Sequence, residues 1–245
     1  MSENGFFRYA GKLESLPCLV EDFVYDNINL ESGNQMVSAG LNNLFGEVTW
    51  FYPTTGSSVV NRQVTYNYFD SSPQRPVWTV GSLARTMWED AAVCGNPHAL
   101  SYEAGTDTSF DVVGNKEGRT IYYQHETGTD QVNPDGSTTA LESFIQSFSF
   151  SLQPNQSEVF LAMRRFLPNF KVLTGNNQIT ISVKDFPSDD DEQTALSPFT
   201  IDSTTTKIDT RARGRYANIK IQNTAAGESW RFGTFQADLQ PDGRR

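Results

Sequence analysis

The sequence predicts an all-β protein, and three observations carry the prediction. Phe (17) and Tyr (9) are abundant beside many Thr, Ser, Asn and Gly residues, a composition that fits pleated, half-buried strands joined by tight turns. Short alternating or β-branched runs recur, each closed by Gly, Pro, Asn or Asp. Few windows hold a helical period. The expected architecture is a propeller-like region of four-stranded antiparallel units over 1–139, with a blade-like unit at 35–81, followed by a β-sandwich-like region over 140–245.

The chain opens with Gly5-Phe-Phe-Arg-Tyr9 and Leu13–Leu19 around Ala10-Gly11-Lys12, a hairpin bent at glycine. A strand that begins so abruptly is expected to pair with partners outside the chain. Val20, Phe23, Val24 and Ile28 stand near helical spacing, which predicts one short helix over Val20–Asn29. The blade-like unit then reads as Gln35–Leu41, Glu47–Tyr52, Arg62–Phe69 and Pro76–Val80. Its separators are Asn42-Asn43, Pro53-Thr-Thr-Gly56 and Asp70-Ser-Ser-Pro73.

Beyond Gly81, the segment Arg85–Asp90 has no clear period. His98–Glu103, Ser109–Val113 and Thr120–Glu126 predict a second, partial four-stranded unit. Thr127–Ser137 reads as a polar loop ending in the turn Pro134-Asp135-Gly136. From Ala140 the pattern changes: Phe144, Phe148, Phe150 and Leu152 alternate with serines, a half-buried strand. Glu158–Phe170 carries Val159, Leu161 and Met163 on one face and closes near Pro168. Gln178–Val183 turns Ile179, Ile181 and Val183 inward, and Tyr216–Gln222 does the same with Ala217, Ile219 and Ile221. Asp185–Ser197 reads as an exposed loop, Trp230–Leu239 as the last strand, and Pro241–Arg245 as a polar tail.

The formal net charge is −10, with a pI near 4.7. This balance disfavours a surface that grips nucleic-acid phosphates broadly, and it is compatible with a wall past which DNA slides. Cys18 and Cys94 form neither a Cys-x-x-Cys pair nor a disulfide framework, and are expected as buried thiols of a reducing compartment. The start lacks the pattern of a secretory leader, and no apolar run reaches membrane-spanning length. The expected setting is a soluble protein made in a cytoplasm.

Candidate chemistry is thin. His98 and His125 are the two imidazoles; Cys94 stands four residues from His98, and no Gly-x-Ser-x-Gly elbow is present. Gln131-Val-Asn133-Pro-Asp135-Gly136 looks like half an EF-hand loop, but Gln stands at the first ligand position and no Glu closes it, so a hairpin turn is expected. Asp189-Asp190-Asp191-Glu192 is expected as a solvated loop. Trp50, Trp78, Trp88 and Trp230 are the candidates for a stacking platform, with core packing as the default for Trp50 and Trp78. The one basic concentration is Lys207, Arg211, Arg213, Arg215 and Lys220, expected to pair with an acidic surface of a neighbouring subunit, ahead of a plain solvated segment and, last, of contact with DNA phosphates. No catalytic, cofactor-binding or metal-ligating residue is assigned, no cofactor is expected, and the protein is expected not to be an enzyme.

Several ordered segments resemble one family. These are Leu16-Pro17-Cys18-Leu-Val20, Glu47-Val-Thr-Trp-Phe-Tyr-Pro53, Asn61–Tyr68, the Trp78 strand leading to Gly81, and Arg85-Thr-Met-Trp88. Further along come Arg211-Ala-Arg-Gly-Arg215, Glu228-Ser-Trp230-Arg-Phe-Gly233 and Asp238–Gly243. Together they resemble tailed-phage virion proteins of the tail nozzle, tail hub or packaged-DNA stabilisation type. Such proteins are usually much longer, and this chain resembles their C-terminal part. The resemblance implies a propeller-like β architecture and a virion location in the tail, with assembly in the host cytoplasm. It also implies copies arranged in a ring, contacts with other tail or head–tail connector proteins, transient passage of double-stranded DNA, and no membrane partner. The competing expectation is a carbohydrate-binding or glycan-cleaving β module at the host surface, with Trp or Tyr rims beside paired carboxylates.

Overall fold

A computed structural model of the chain describes residues 1–2, 5–29, 36–90, 95–103, 119–133, 135–152, 159–190 and 194–244. Strands make up 59% of it against one short helix, so the class is all-β. Two compact units emerge, Met1–Thr127 and Gly128–Arg245. No helix among the described residues is long and apolar enough to cross a membrane.

In the first unit, β1 (Phe6–Tyr9) and β2 (Leu13–Leu16) form the glycine-bent hairpin. The helix α1 is shorter than its apolar spacing predicts, running only Glu21–Tyr25. The loop that follows the fourth strand draws off the backbone groups that would have continued it. Asn29 N donates to Pro53 O (2.9 Å), Thr55 N donates to Asn27 O (2.7 Å), and Ile28 bridges Thr54.

Next come β3 (Ser38–Asn42), β4 (Glu47–Tyr52), β5 (Arg62–Ser72) and β6 (Arg75–Gly81), each pairing antiparallel with the next in chain order. The expected turn at Asp70–Pro73 sits later, because β5 continues through a bulge after Asn67 to Ser72. Asn67 Oδ1 stabilises that bulge by accepting from Phe69 N (3.0 Å) and Asp70 N (2.9 Å). One face of this sheet buries Tyr52 and Val64 with Phe6, Val24 and Ile28, and Trp50, Trp78 and Val80 pack around them. The other face buries Phe51, stacked on Trp88 at 5.9 Å. Trp88 belongs to β7 (Met87–Glu89), which joins β8 (His98–Glu103) and β9 (Arg119–Gln124) in a three-stranded antiparallel sheet. The predicted strand Ser109–Val113 lies outside the described residues.

The second unit begins with β10 (Asp130–Val132) and β11 (Thr138–Ala140), a hairpin where the sequence predicts a loop. The turn at Asp135–Gly136 lies inside it. Then follow β12 (Phe144–Gln146), β13 (Val159–Thr174), β14 (Asn177–Lys184), β15 (Phe199–Ile201), β16 (Ile208–Gly214), β17 (Tyr216–Gln222) and β18 (Ser229–Arg244). Two antiparallel sheets result, ordered β12-β17-β14-β15 and β16-β13-β18. Their facing side chains form one core: Leu161, Met163 and Phe166 from β13, Ile208 and Ala212 from β16, Ile179 and Ile181 from β14, Ile201 from β15, and Ala217, Ile219 and Ile221 from β17. This is the face-to-face packing of a sandwich.

Three expectations in this unit are corrected. Phe144 and Phe148 do not point inward; they are 57% and 89% exposed. Ser147 breaks the strand, because its backbone N donates to Ile219 O (2.9 Å) while its hydroxyl accepts from Ile219 N (3.0 Å). Pro168 does not close β13. Past Phe166 that strand pairs with β18 alone, so a residue lacking an N–H is tolerated at the free edge. Pro241–Arg244 is no tail but the end of β18, with Pro241 opposite Leu161.

Candidate functional site

Both histidines and the residues around them gather in the first unit, between β7, β8 and β9. Arg85 leads into β7 and is only 5% exposed. Its Nε donates to His125 Nε2 (3.0 Å), its Nη1 donates to Ala84 O (2.7 Å), and its guanidinium carbon lies 4.0 Å from the Tyr123 ring centroid. No carboxylate pairs with it among the described residues. Burial pushes the guanidinium down to about 10, with the Tyr123 ring position opposing.

His125 follows β9 and is fixed by its backbone N–H, which donates to Pro97 O (2.8 Å). Its ring lies 4.5 Å from that of Trp88. Burial first, then the charges of Arg85 and His98, push the imidazole down to about 4. A neutral ring is what an acceptor of the Arg85 N–H must be, so geometry and electrostatics agree. The Nε2 lone pair that a general base would use is held by Arg85. His98, on β8, is 8% exposed; its Nδ1 bonds the Tyr122 hydroxyl and its ring stacks on Tyr122 at 5.3 Å. Cys94, the neighbouring thiol, lies outside the described residues.

The tryptophans are engaged in packing. Trp88 Nε1 donates to Leu41 O (2.8 Å), and Trp78 Nε1 donates to Pro17 O (2.8 Å). Trp50 and Trp78 stack at 6.1 Å with Phe6 against both. Gly40 on β3 makes room for Trp88: a Cβ there would fall 2.5–2.8 Å from its Cγ, Cδ1 and Cβ. Trp230 packs against the sandwich core of the second unit. Cys18 is half-buried beside the Phe6 cluster, its thiol pushed up to about 11 by burial. That shift keeps it protonated and inert.

The acidic segments are satisfied locally where they are described. Asp135 Oδ1 accepts from Ser137 N (2.9 Å) and Ser137 Oγ (2.6 Å), and Asp189 Oδ2 accepts from Phe186 N (3.0 Å). Asp191 and Glu192 lie outside the described residues. No group of three or more His, Cys, Asp and Glu residues among those described gathers to hold a metal.

Two of the five residues of the basic concentration, Lys207 and Arg213, are ion-paired within their own unit. Arg213 pairs with Asp242 (2.5 Å), and Lys207 and Arg165 share Asp209 (3.0 and 3.1 Å). The guanidiniums of Arg213 and Arg215 lie 4.2 and 5.2 Å from the Phe160 ring, and Lys220 lies 4.9 Å from that of Phe144. Arg211, exposed on β16, takes part in none of these pairs. The buried Arg85 has no signature in the sequence, since its partners arrive from other strands.

Comparison of the chain with models of known protein families and with curated proteins finds no match.

Proposed function

We propose that the protein is a non-catalytic structural component of a tailed-phage virion, placed in the tail nozzle or hub. The observation that carries the reading is how the chain uses its reactive and stacking side chains. His125 holds a buried guanidinium, His98 stacks on Tyr122, and the tryptophans of the first unit bind strands to one another. A glycan-binding or glycan-cleaving module would instead leave its tryptophans free to stack on a sugar, whereas Trp78 and Trp88 pack on neighbouring rings and donate to backbone carbonyls.

Two further features support the structural reading. Short turns and dense antiparallel sheets make stiff modules suited to a wall around packaged DNA. Apolar side chains stand exposed at sheet margins, among them Tyr9 (77%), Leu13 (68%) and Phe148 (89%), as in a subunit whose neighbours cover them. The first unit carries seven Lys and Arg against fifteen Asp and Glu, a net −8, while the second carries twelve against fourteen, a net −2. An acidic surface of that kind repels the DNA backbone and lets it pass.

The test is to purify virions, probe them for the protein by mass spectrometry, and locate it with gold-labelled antibody in negative stain. Label on the tail, together with ring-shaped particles of the purified protein, is the expected result. Virions that lack the protein refute the reading.

A further inference from the structure

We infer that Asn42, Glu47 and Glu126, at one end of the first unit's four-stranded sheet, form a binding site for a divalent cation, with Ca²⁺ the best match to their ligand chemistry. Asn42 closes β3 and Glu47 opens β4. The two are direct cross-strand partners, so their side chains lie side by side on the same face. Glu126 reaches this point from beyond β9: Asn42 Nδ2 donates to Glu126 Oε1 at 3.0 Å. Two carboxylates and one amide thus meet at a single strand end.

The independent sign of a ligand is the other atom of that amide. Asn42 is only 5% exposed, and its Oδ1 is buried with no hydrogen-bond partner. A buried carbonyl oxygen left unbonded is costly and rare in native proteins. Nδ2 of the same amide bonds Glu126 and Glu47 is the cross-strand partner of Asn42, so this oxygen belongs to the side chain that links the two carboxylate-bearing residues. A cation bound there would satisfy it.

The electrostatics agree. No Lys or Arg pairs with Glu47 or Glu126 among the described residues. Burial first, then the charge of Glu126, raises the Glu47 carboxyl above the usual range, while a hydrogen bond from Asn67 opposes the shift. Two like charges held together without a counter-ion are a standing cost, and a +2 ion removes it. The donors are all oxygen: two carboxylates and an amide carbonyl. Such a set suits Ca²⁺, which accepts irregular shells of 6–8 oxygens completed by water, better than Mg²⁺, which demands a near-ideal octahedron. Glu126 is exposed, so water can complete the shell. Asp90 lies beside this strand end too: its Oδ2 accepts from Asn43 N (3.2 Å) and Asn43 Nδ2 (2.5 Å), and its Oδ1 is buried without a partner.

The proposal does not depend on the virion assignment. Its test is calorimetric titration of the whole protein with CaCl₂, paired with thermal unfolding in EDTA and in 10 mM CaCl₂. With so few charged ligands, one saturable site of Kd about 0.1–1 mM is expected. At 10 mM Ca²⁺ it would shift the unfolding equilibrium of the first unit by about ten- to a hundredfold. Glu47→Gln, Glu126→Gln and Asn42→Ala should each abolish the shift, and the two Gln variants should be at least as stable as wild type in EDTA. Glu142→Gln, in the second unit, should respond as wild type does. Three results overturn the inference: no saturable binding by the wild-type protein up to 10 mM, an undiminished response in Glu47→Gln or Glu126→Gln, or an equal loss in Glu142→Gln. An equal response to MgCl₂ overturns the choice of Ca²⁺.

Discussion

Acidification from pH 7 should weaken the first unit through one contact, that of Arg85 with His125. Protonating His125 would set an imidazolium against a guanidinium whose Nε stands 3.0 Å from its Nε2. The unfolded chain takes up this proton near the ordinary value of 6.5, whereas the folded ring resists until about 4. A depressed folded value means that the full contribution is present above pH 6.5, falls as the pH drops, and is lost near pH 4. That interval corresponds to a ceiling of about 3 kcal/mol, and screening at a half-buried ring reduces it to about 1.5 kcal/mol. The assay is urea denaturation followed by tryptophan fluorescence at half-unit steps from pH 7.5 to 4.5. The comparison is His125→Gln, whose amide oxygen can accept from Arg85 but does not titrate. Carboxylates common to both proteins cancel in the difference, so the wild type should lose about 1.5 kcal/mol more than the variant over this range. Parallel stability curves would refute the reasoning.

Other substitutions probe other links. Gly40→Ala places a methyl group 2.5–2.8 Å from the Trp88 side chain, which Phe51, His125 and the Leu41 carbonyl hold in place. Its cost should be about 1–3 kcal/mol in denaturation midpoints, with a change in near-ultraviolet dichroism. Phe166→Ala empties a fully buried site in the sandwich core and should cost about 3–5 kcal/mol. Urea unfolding that shows less than 1 kcal/mol would mean the two sheets do not pack as described. Asp242→Ala removes the partner of Arg213 from a pair whose side chains are 46% and 50% exposed. Its effect should stay below about 1 kcal/mol, and a larger loss by the same measurement would show that this pair matters beyond its surface setting.

Strands were legible where β-branched and aromatic residues fill a short run closed by turn residues. Glu47–Tyr52, His98–Glu103 and Tyr216–Gln222 begin and end as their composition predicts, and Ala217, Ile219 and Ile221 are all in the core. The strand Ile208–Gly214 carries an equally clear signal, Ile208, Thr210, Ala212 and Gly214 inward between charged residues. The same stretch also carries the charge run Arg211, Arg213 and Arg215, so the charge signal overlies the strand signal. Phe144–Leu152 misled in the opposite way. Its alternation is real, but serine side-chain bonding ends the strand after Gln146 and leaves Phe148 in solvent.

The candidate sites were less legible because their members are far apart in the chain. Arg85 sits in a stretch with no period, and its burial is decided by Tyr123 and His125 from another strand. Asn42 reads locally as a turn residue, but it is the last residue of β3, paired with Glu47. That its amide meets a carboxylate at position 126 follows only from the stacking of β7–β9 beside β3, and no local pattern encodes it.

The pairing of β13 with β18 has a consequence for how the second unit is made in a cell. Val159 pairs with Arg244 and Thr174 with Ser229, so each rung joins residues separated by a large part of the unit. β18 is the last of these strands to leave the ribosome. At ordinary elongation rates β13 therefore waits on the order of seconds for its longest partner. During that interval Phe160, Leu161, Met163 and Phe166 belong to a strand with one open edge, the kind of surface that invites pairing with another nascent chain. The sandwich can close only after synthesis has passed Arg244, and its yield should depend on chaperones or slow translation more than that of the first unit, whose meander pairs each strand with the one just made.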